Sequence, residues 1–142
     1  MSGGSVFVDT NVVAYALDAA SPQKRAAAQD LIARLGPAGR LVFSTQVFQE
    51  TYAVLVRKLK LAPAQAERAV TKLFDYAFVT TDTPLLRRAM HRHQDDGIAF
   101  YDALIVEAAL TSGCEILASE DFQQGRRFGK LRVVNPFTES IE

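Results

Sequence analysis

Four acids stand where a chain could do chemistry with them. Asp9 closes the run Ser5-Val6-Phe7-Val8, and Glu50, Asp102 and Asp121 each lie at or just beyond a later apolar stretch. Taken singly, each reads as a helix cap, a helix-turn acid or a turn residue. Taken together, they occur where a set of parallel strands would bring acids to one edge. Convergent carboxylates repel unless a cation neutralises them. An all-oxygen set without Cys or clustered His suits a hard cation, magnesium or manganese, rather than zinc. Such a site activates water and stabilises charge on a phosphoryl group. His91 and His93 are two positions apart, so on a helix they point to different faces. Cys114, the one cysteine, precedes an apolar strand and reads as a small core residue.

The positioning elements follow from periodicity. Val6–Asp9 is short, apolar and β-branched, a buried strand that carries the first acid to its carboxyl end. Asn11 reads as the cap of a mostly apolar helix through about Asp18. Ser21-Pro22 starts the next helix, which Gly36-Pro37 stops near Leu35. Leu41–Ser44 is a second strand, and Ser44 or Thr45 caps a helix from about Gln46 to Leu59, with Glu50 near its first turn. A helix from Ala62-Pro63 to about Tyr76, a weak strand at Phe78–Thr80 and a helix from Thr83-Pro84 to about Gln94 come next. Tyr101–Ser112 is a strongly apolar helix with Asp102 in its first turn and Gly113 at C′. Ile116–Ser119 is a buried strand, and Glu120-Asp121 follows it directly. A Gly- and Arg-rich loop and the strand Arg132–Val134 follow, and Asn135-Pro136-Phe137 closes the fold.

Alternation of short apolar strands with helices implies parallel strands joined by crossovers. Right-handed crossovers put every carboxyl end on one edge, where open parallel sheets bind ligands. The expected fold is therefore α/β, a single domain over residues 1–142 with a mostly parallel sheet of four to five strands. Composition agrees: 49% of residues are hydrophobic and 23% charged, ordinary for a globular protein. The net charge is zero, so there is no global pull toward nucleic acid, although a local basic patch is compatible with it. A single cysteine allows no internal disulfide and suits a reducing compartment. The start Met-Ser-Gly-Gly-Ser has neither the charged nor the apolar region of a signal peptide, and no run approaches a membrane span. A cytoplasmic protein without membrane association is expected.

Val8-Asp9-Thr10-Asn11 before an apolar helix, Gln49-Glu50 after the second strand, Tyr101-Asp102-Ala103-Leu104-Ile105 and Ser119-Glu120-Asp121-Phe122 resemble the PIN-domain nucleases, most of all the VapC toxins of bacterial toxin–antitoxin pairs. The resemblance extends to the closing Val134-Asn135-Pro136-Phe137. It implies a PIN-like three-layer α/β/α sandwich and a magnesium- or manganese-dependent ribonuclease. The implied metal ligands and catalytic residues are Asp9, Glu50, Asp102 and Asp121. Asn11 and Ser119 match the family's Asn beside the first acid and its hydroxyl residue before the last, and would orient a ligand carboxylate or a substrate phosphate. Both acids of Ser119-Glu120-Asp121 could reach the site. The hydroxyl–any–acid pattern favours Asp121, with Glu120 an outer contributor.

Substrate contact needs positive charge beside the acids. Arg126, Arg127 and Lys130, in the loop after Asp121, are candidates for RNA phosphates, with a solvated loop the equal alternative. Arg87, Arg88 and Arg92 read as an exposed helix face, and Arg57, Lys58 and Lys60 as cations suiting a helix C-terminus. The family resemblance also implies a homodimer and a cognate antitoxin. Tyr52, Leu55, Leu73 and Phe74 give their helices more apolar surface than a small sheet needs, consistent with an interface. Two rivals remain: a metal-dependent phosphatase of another α/β fold, and a PIN-like module that binds RNA or protein without cleaving. Asn11 stands where a haloacid-dehalogenase-like enzyme would carry its second Asp, and the full acid set counts against a non-cleaving module.

Overall fold

Val6, Phe7 and Val8 are wholly buried, because their strand, β1 (Val6–Val8), lies between two parallel neighbours. The computed structural model describes residues 3–142. Met1 and Ser2, the first residues of the stretch read as lacking signal-peptide features, lie outside them. β1 pairs with β2 (Leu41–Ser44) on one side and β4 (Ile116–Ala118) on the other. β3 (Ala77–Val79) pairs outside β2, and β6 (Leu131–Val134) outside β4, all parallel. A sixth strand, β5 (Arg127–Phe128), runs antiparallel to β6 at the far edge. The order is β3-β2-β1-β4-β6-β5. The five expected strands are present, and the Gly- and Arg-rich segment adds the sixth as one arm of a hairpin. Two residues are too few for any period to show in sequence.

The chain leaves β1 toward β2 and β3, then returns to β4 and β6 on β1's other side. The strand order therefore reverses between β1 and β4, which is the ligand-binding crevice of such sheets. The helices form two packed groups, α1 (Thr10–Tyr15), α2 (Pro22–Leu35), α3 (Thr45–Arg57) and α4 (Pro63–Thr71) in one, α5 (Thr83–Asp96) with α6 (Phe100–Thr111) in the other. Right-handed crossovers place the groups on opposite faces, giving the expected sandwich. A 3-10 turn, Lys72–Asp75, takes the place of the last turn expected for α4.

Local signals set the ends. Ser44 caps α3, its Oγ accepting from Val47 N at 3.2 Å. Gly113, with φ of 72°, ends α6 at the left-handed position that glycine occupies without steric cost. The start of α1 differs from expectation: its N-cap is Asp9, whose Oδ1 accepts from Thr10 N at 2.8 Å. Asn11 lies inside the helix, and its amide is free for another partner. Glu50 is also one turn deeper than expected, because α3 opens at Thr45 and holds no acid in its first turn.

Burial separates the apolar residues considered for an interface. Leu55 and Leu73 belong to the core, whereas Tyr52 and Phe74 are 40% and 49% exposed. Arg88 and Arg92 both pair with the buried carboxylate of Glu107, fastening α5 to α6. They are not the plain exposed face the sequence suggests. Cys114 is buried, and burial pushes its thiol up to about 12, so it stays protonated and inert. Among the described residues no helix is long and apolar enough to cross a membrane.

Candidate active site

Asp9 continues the sheet by one residue, its N donating to Ala118 O at 3.0 Å. Its carboxylate therefore stands at the carboxyl end of the central strand, beside Ser119 at the end of β4. Ser119 Oγ donates to Asp9 Oδ2 at 2.8 Å and accepts from Asp121 N at 3.1 Å. One wholly buried hydroxyl thus fixes the first acid and the backbone that carries the last. Asn11 Nδ2 donates to Asp121 Oδ2 at 2.6 Å, so Asn11 orients the fourth acid rather than the helix start.

Glu50 is held through both oxygens. Thr10 Oγ1 donates to Oε1 at 2.6 Å, and Gln46 Nε2 lies 3.3 Å from Oε2. Gln46 also donates to Tyr101 O at 3.1 Å, tying α3 to the first turn of α6 next to Asp102. Thr10 and Gln46 were not singled out from the sequence. Gln46 carries a faint signal, since it is four residues before Glu50 and so shares its helix face. Thr10 carries only its place between Asp9 and Asn11.

Asp9, Glu50, Asp102 and Asp121 line one hollow of about 360 Å³ at the carboxyl edge. Ion pairs among the described residues engage Glu107, Glu120, Glu139, Asp30 and Asp96, and none engages these four. The electrostatic consequence is visible in two of them. Burial pushes Asp9 up to about 6, against the lowering effect of its hydrogen bonds from Ser119 and Thr10, and the charges of Asp121 and Glu50 add to the rise. Burial likewise raises Asp102, followed by the same two charges. Among the described residues, no three acids, His or Cys are already grouped closely enough to form a metal cage. Asp9, Glu50 and Asp121 are tethered by hydrogen bonds, and Asp102 lines the hollow without one among the described residues. The hollow's donor chemistry fits a hard divalent cation: all oxygen, negative, and with none of the four acids in an ion pair among the described residues.

The neighbouring candidates are placed elsewhere. Glu120 turns away, accepting from Lys24 Nζ at 2.8 Å, and that ammonium lies 4.7 Å and 5.3 Å from the ring centroids of Tyr15 and Phe137. The chain bends after β4, with Asp121 N turned onto Ser119 Oγ, and Asp121 lines the hollow while Glu120 is held by Lys24. Arg126, Arg127 and Lys130 do not line the hollow. Arg127 pairs with Arg132, itself level with the first residue of β4, and Lys130 lies in the turn before β6, so both sit toward the opposite, amino edge. Arg126 stacks on Phe128 at 4.7 Å. The cation that does line the hollow is Arg57.

Four carboxylates gathered at the switch point of a parallel α/β sheet, three of them held by hydrogen bonds, define a protein built to place acids around a polar reactant. The PIN-domain family model matches residues 6–129, and the chain belongs to the PIN-domain family. Solved structures agree with the fold. VapC20 of Mycobacterium tuberculosis, described as a sarcin–ricin loop cleaving toxin, is 22% identical with a TM-score of 0.63, covering 82% of this chain and 92% of its own. PAE2754 from Pyrobaculum aerophilum is 23% identical with a TM-score of 0.54, covering 83% and 80%. At this identity the likeness is one of fold. No curated protein matches the chain in sequence.

The tethers carry a prediction. Ser119→Ala removes the one group joining Asp9 to the Asp121 backbone, and a loss of about 10- to 100-fold is expected in the activity this hollow carries. Glu120→Gln breaks only the Lys24 pair and is expected to leave that activity unchanged. Initial rates of the two variants, measured side by side on one RNA substrate, check both halves.

Proposed function

We propose that this chain is a magnesium- or manganese-dependent endoribonuclease, the toxin of a VapBC-like pair, with Asp9, Asp102 and Asp121 as ligands and Glu50 as a ligand directly or through water. The observation that carries this reading is the convergence of all four acids on one hollow, with no ion pair to any of them among the described residues. Bound there, a divalent cation would lower the pKa of a water and offset charge on the phosphoryl group and leaving oxygen. The chain's own residues do the positioning. Ser119 and Thr10 N hold both oxygens of Asp9. Thr10 and Gln46 hold Glu50, and Asn11 holds Asp121. Fixed carboxylates cost no reorganisation when charge develops on the substrate. Hydrolysis adds the water oxygen to phosphorus and releases the 3′ oxygen, leaving a 5′-phosphate end.

Family membership supports the nuclease activity, and the fold shared with VapC20 supports the toxin role. The same kinship supports a homodimer, restraint by a cognate antitoxin, and action in the cytoplasm as one domain. Exposed Tyr52 and Phe74 supply apolar surface for a partner. Induced expression in a bacterial host is expected to arrest growth, and co-expression of a cognate antitoxin to relieve the arrest. Growth unaffected by the wild-type chain, or equally arrested by Asp102→Asn, would contradict the toxin reading.

A further inference from the structure

Two large side chains at the rim of the acid hollow have no part in holding the acids. Tyr101 directly precedes Asp102 and is 65% exposed, the most open of the large apolar residues among those described. Its ring meets Phe100 edge-on, with centroids 5.2 Å apart and planes at 67°. Its backbone carbonyl is held by Gln46, the residue that also tethers Glu50. An aromatic ring thus stands on anchored backbone beside the acids, with most of its surface left to solvent.

Arg57 stands on the other bank. Glu50, Ala53, Val54 and Arg57 follow helical spacing along α3, and all four line the hollow. Seven residues put Arg57 about 10 Å from Glu50 along the helix axis. It takes part in none of the ion pairs among the described residues. The guanidinium therefore leaves the acid set without a counter-charge, yet it is the cation nearest to hand for a polyanion crossing the hollow. Arg126, Arg127 and Lys130 cannot serve there, since none lines it.

We propose that Tyr101 and Arg57 are substrate-positioning residues: a nucleobase stacks on the Tyr101 ring, and a phosphate next to the one at the acids pairs with Arg57. The proposal rests on the ribonuclease reading for the identity of the strand. Stacking accepts any base, because every base has a π-face. A guanidinium matches phosphate oxygens in a two-pronged geometry that a Lys cannot reproduce. Together the two residues set the strand's direction and register across the acids, whatever sequence is cut.

The test is a binding titration of full-length protein with a fluorescein-labelled, mixed-sequence single-stranded RNA, in magnesium, at several salt concentrations. All proteins carry Asp102→Asn so that the strand is not consumed, and circular dichroism confirms that each variant is folded. Adding Tyr101→Ala is expected to weaken binding about 5- to 100-fold, whereas Tyr101→Phe, which keeps the ring, stays within about twofold. Adding Arg57→Gln is expected to weaken binding of all sequences alike, and to flatten the slope of log affinity against log salt by about 0.7. Unchanged affinity for Tyr101→Ala, equal losses for Ala and Phe, or an unchanged salt slope for Arg57→Gln would overturn the assignment of that residue. Wild-type cleavage activity separates the two levels. RNA cleavage with no effect of Tyr101 or Arg57 on binding overturns this proposal and leaves the nuclease standing. Ring- and charge-dependent binding without cleavage supports the proposal and overturns the nuclease.

Discussion

Asp102→Asn is expected to lower magnesium-dependent RNA cleavage by about a thousandfold or more, with the fold intact. Asparagine has nearly the same shape, and α6 is held by its apolar length against the sheet, not by this side chain. What disappears is one negative oxygen facing the hollow. A bound divalent ion contributes several kcal/mol of charge stabilisation, and each 1.4 kcal/mol is a factor of ten in rate. Asp9→Asn is expected to have the same effect by the same route. Single-turnover rates at saturating magnesium, with thermal melts as the folding control, measure both. Cleavage undiminished in both variants would remove these residues from the chemistry.

The second large effect is on stability, and it runs against intuition for an active-site residue. Asp9 is buried among like charges, and its carboxyl is pushed up to about 6 from the ordinary 3.8. The folded chain then keeps a proton on Asp9 at pH values where the unfolded chain has lost it. The stability this gives is fully present below pH 3.8 and is lost as pH rises through about 6. A shift of this size corresponds to about 3 kcal/mol. Metal-free wild-type protein at pH 8 therefore carries a penalty that Asp9→Asn removes. In EDTA at pH 8 the variant is expected to melt about 5 °C above wild type, with the gap shrinking toward pH 4.5. The rearranged bond to Ser119 offsets part of the gain. Magnesium is expected to reverse the order, because binding to the folded state would stabilise the wild type alone. Calorimetry of the two proteins at both pH values, with and without magnesium, reads all of this. Equal melting temperatures in EDTA would show that Asp9 is not under electrostatic stress.

Much of this arrangement was legible in the sequence. The strand that ends in Asp9, the apolar helix behind Asp102 and the strand before Asp121 are strongly patterned, and parallel topology sends their acids to one edge. The tethers were not legible as geometry. Ser119 to Asp9 and Asn11 to Asp121 are each separated by 110 residues, and no local period reports such a pair. Asn11 next to a strand end looks like a cap, yet Asp9 can cap with one oxygen and keep the other for Ser119. Glu50 was read one turn too early because α3 begins as soon as β2 ends. Arg126, Arg127 and Lys130 follow Asp121 in sequence, but a two-residue strand folds back against β6 and carries Arg127 and Lys130 toward the wrong edge. Proximity in sequence to a site residue counts for little when a hairpin intervenes. Arg57, read only as a helix-end cation, reaches the hollow because α3 starts at that edge and presents one stripe to it.

The claim that the four acids form a metal-dependent phosphodiester-cleaving centre is tested most directly by the ends of the RNA it produces. Purified protein is incubated with RNA in magnesium and in EDTA, and the fragments are analysed for their terminal groups. Hydrolysis at this site is expected to give 5′-phosphate and 3′-hydroxyl ends in magnesium and no cleavage in EDTA. Cleavage that survives EDTA, or fragments ending in a 2′,3′-cyclic phosphate, would contradict it.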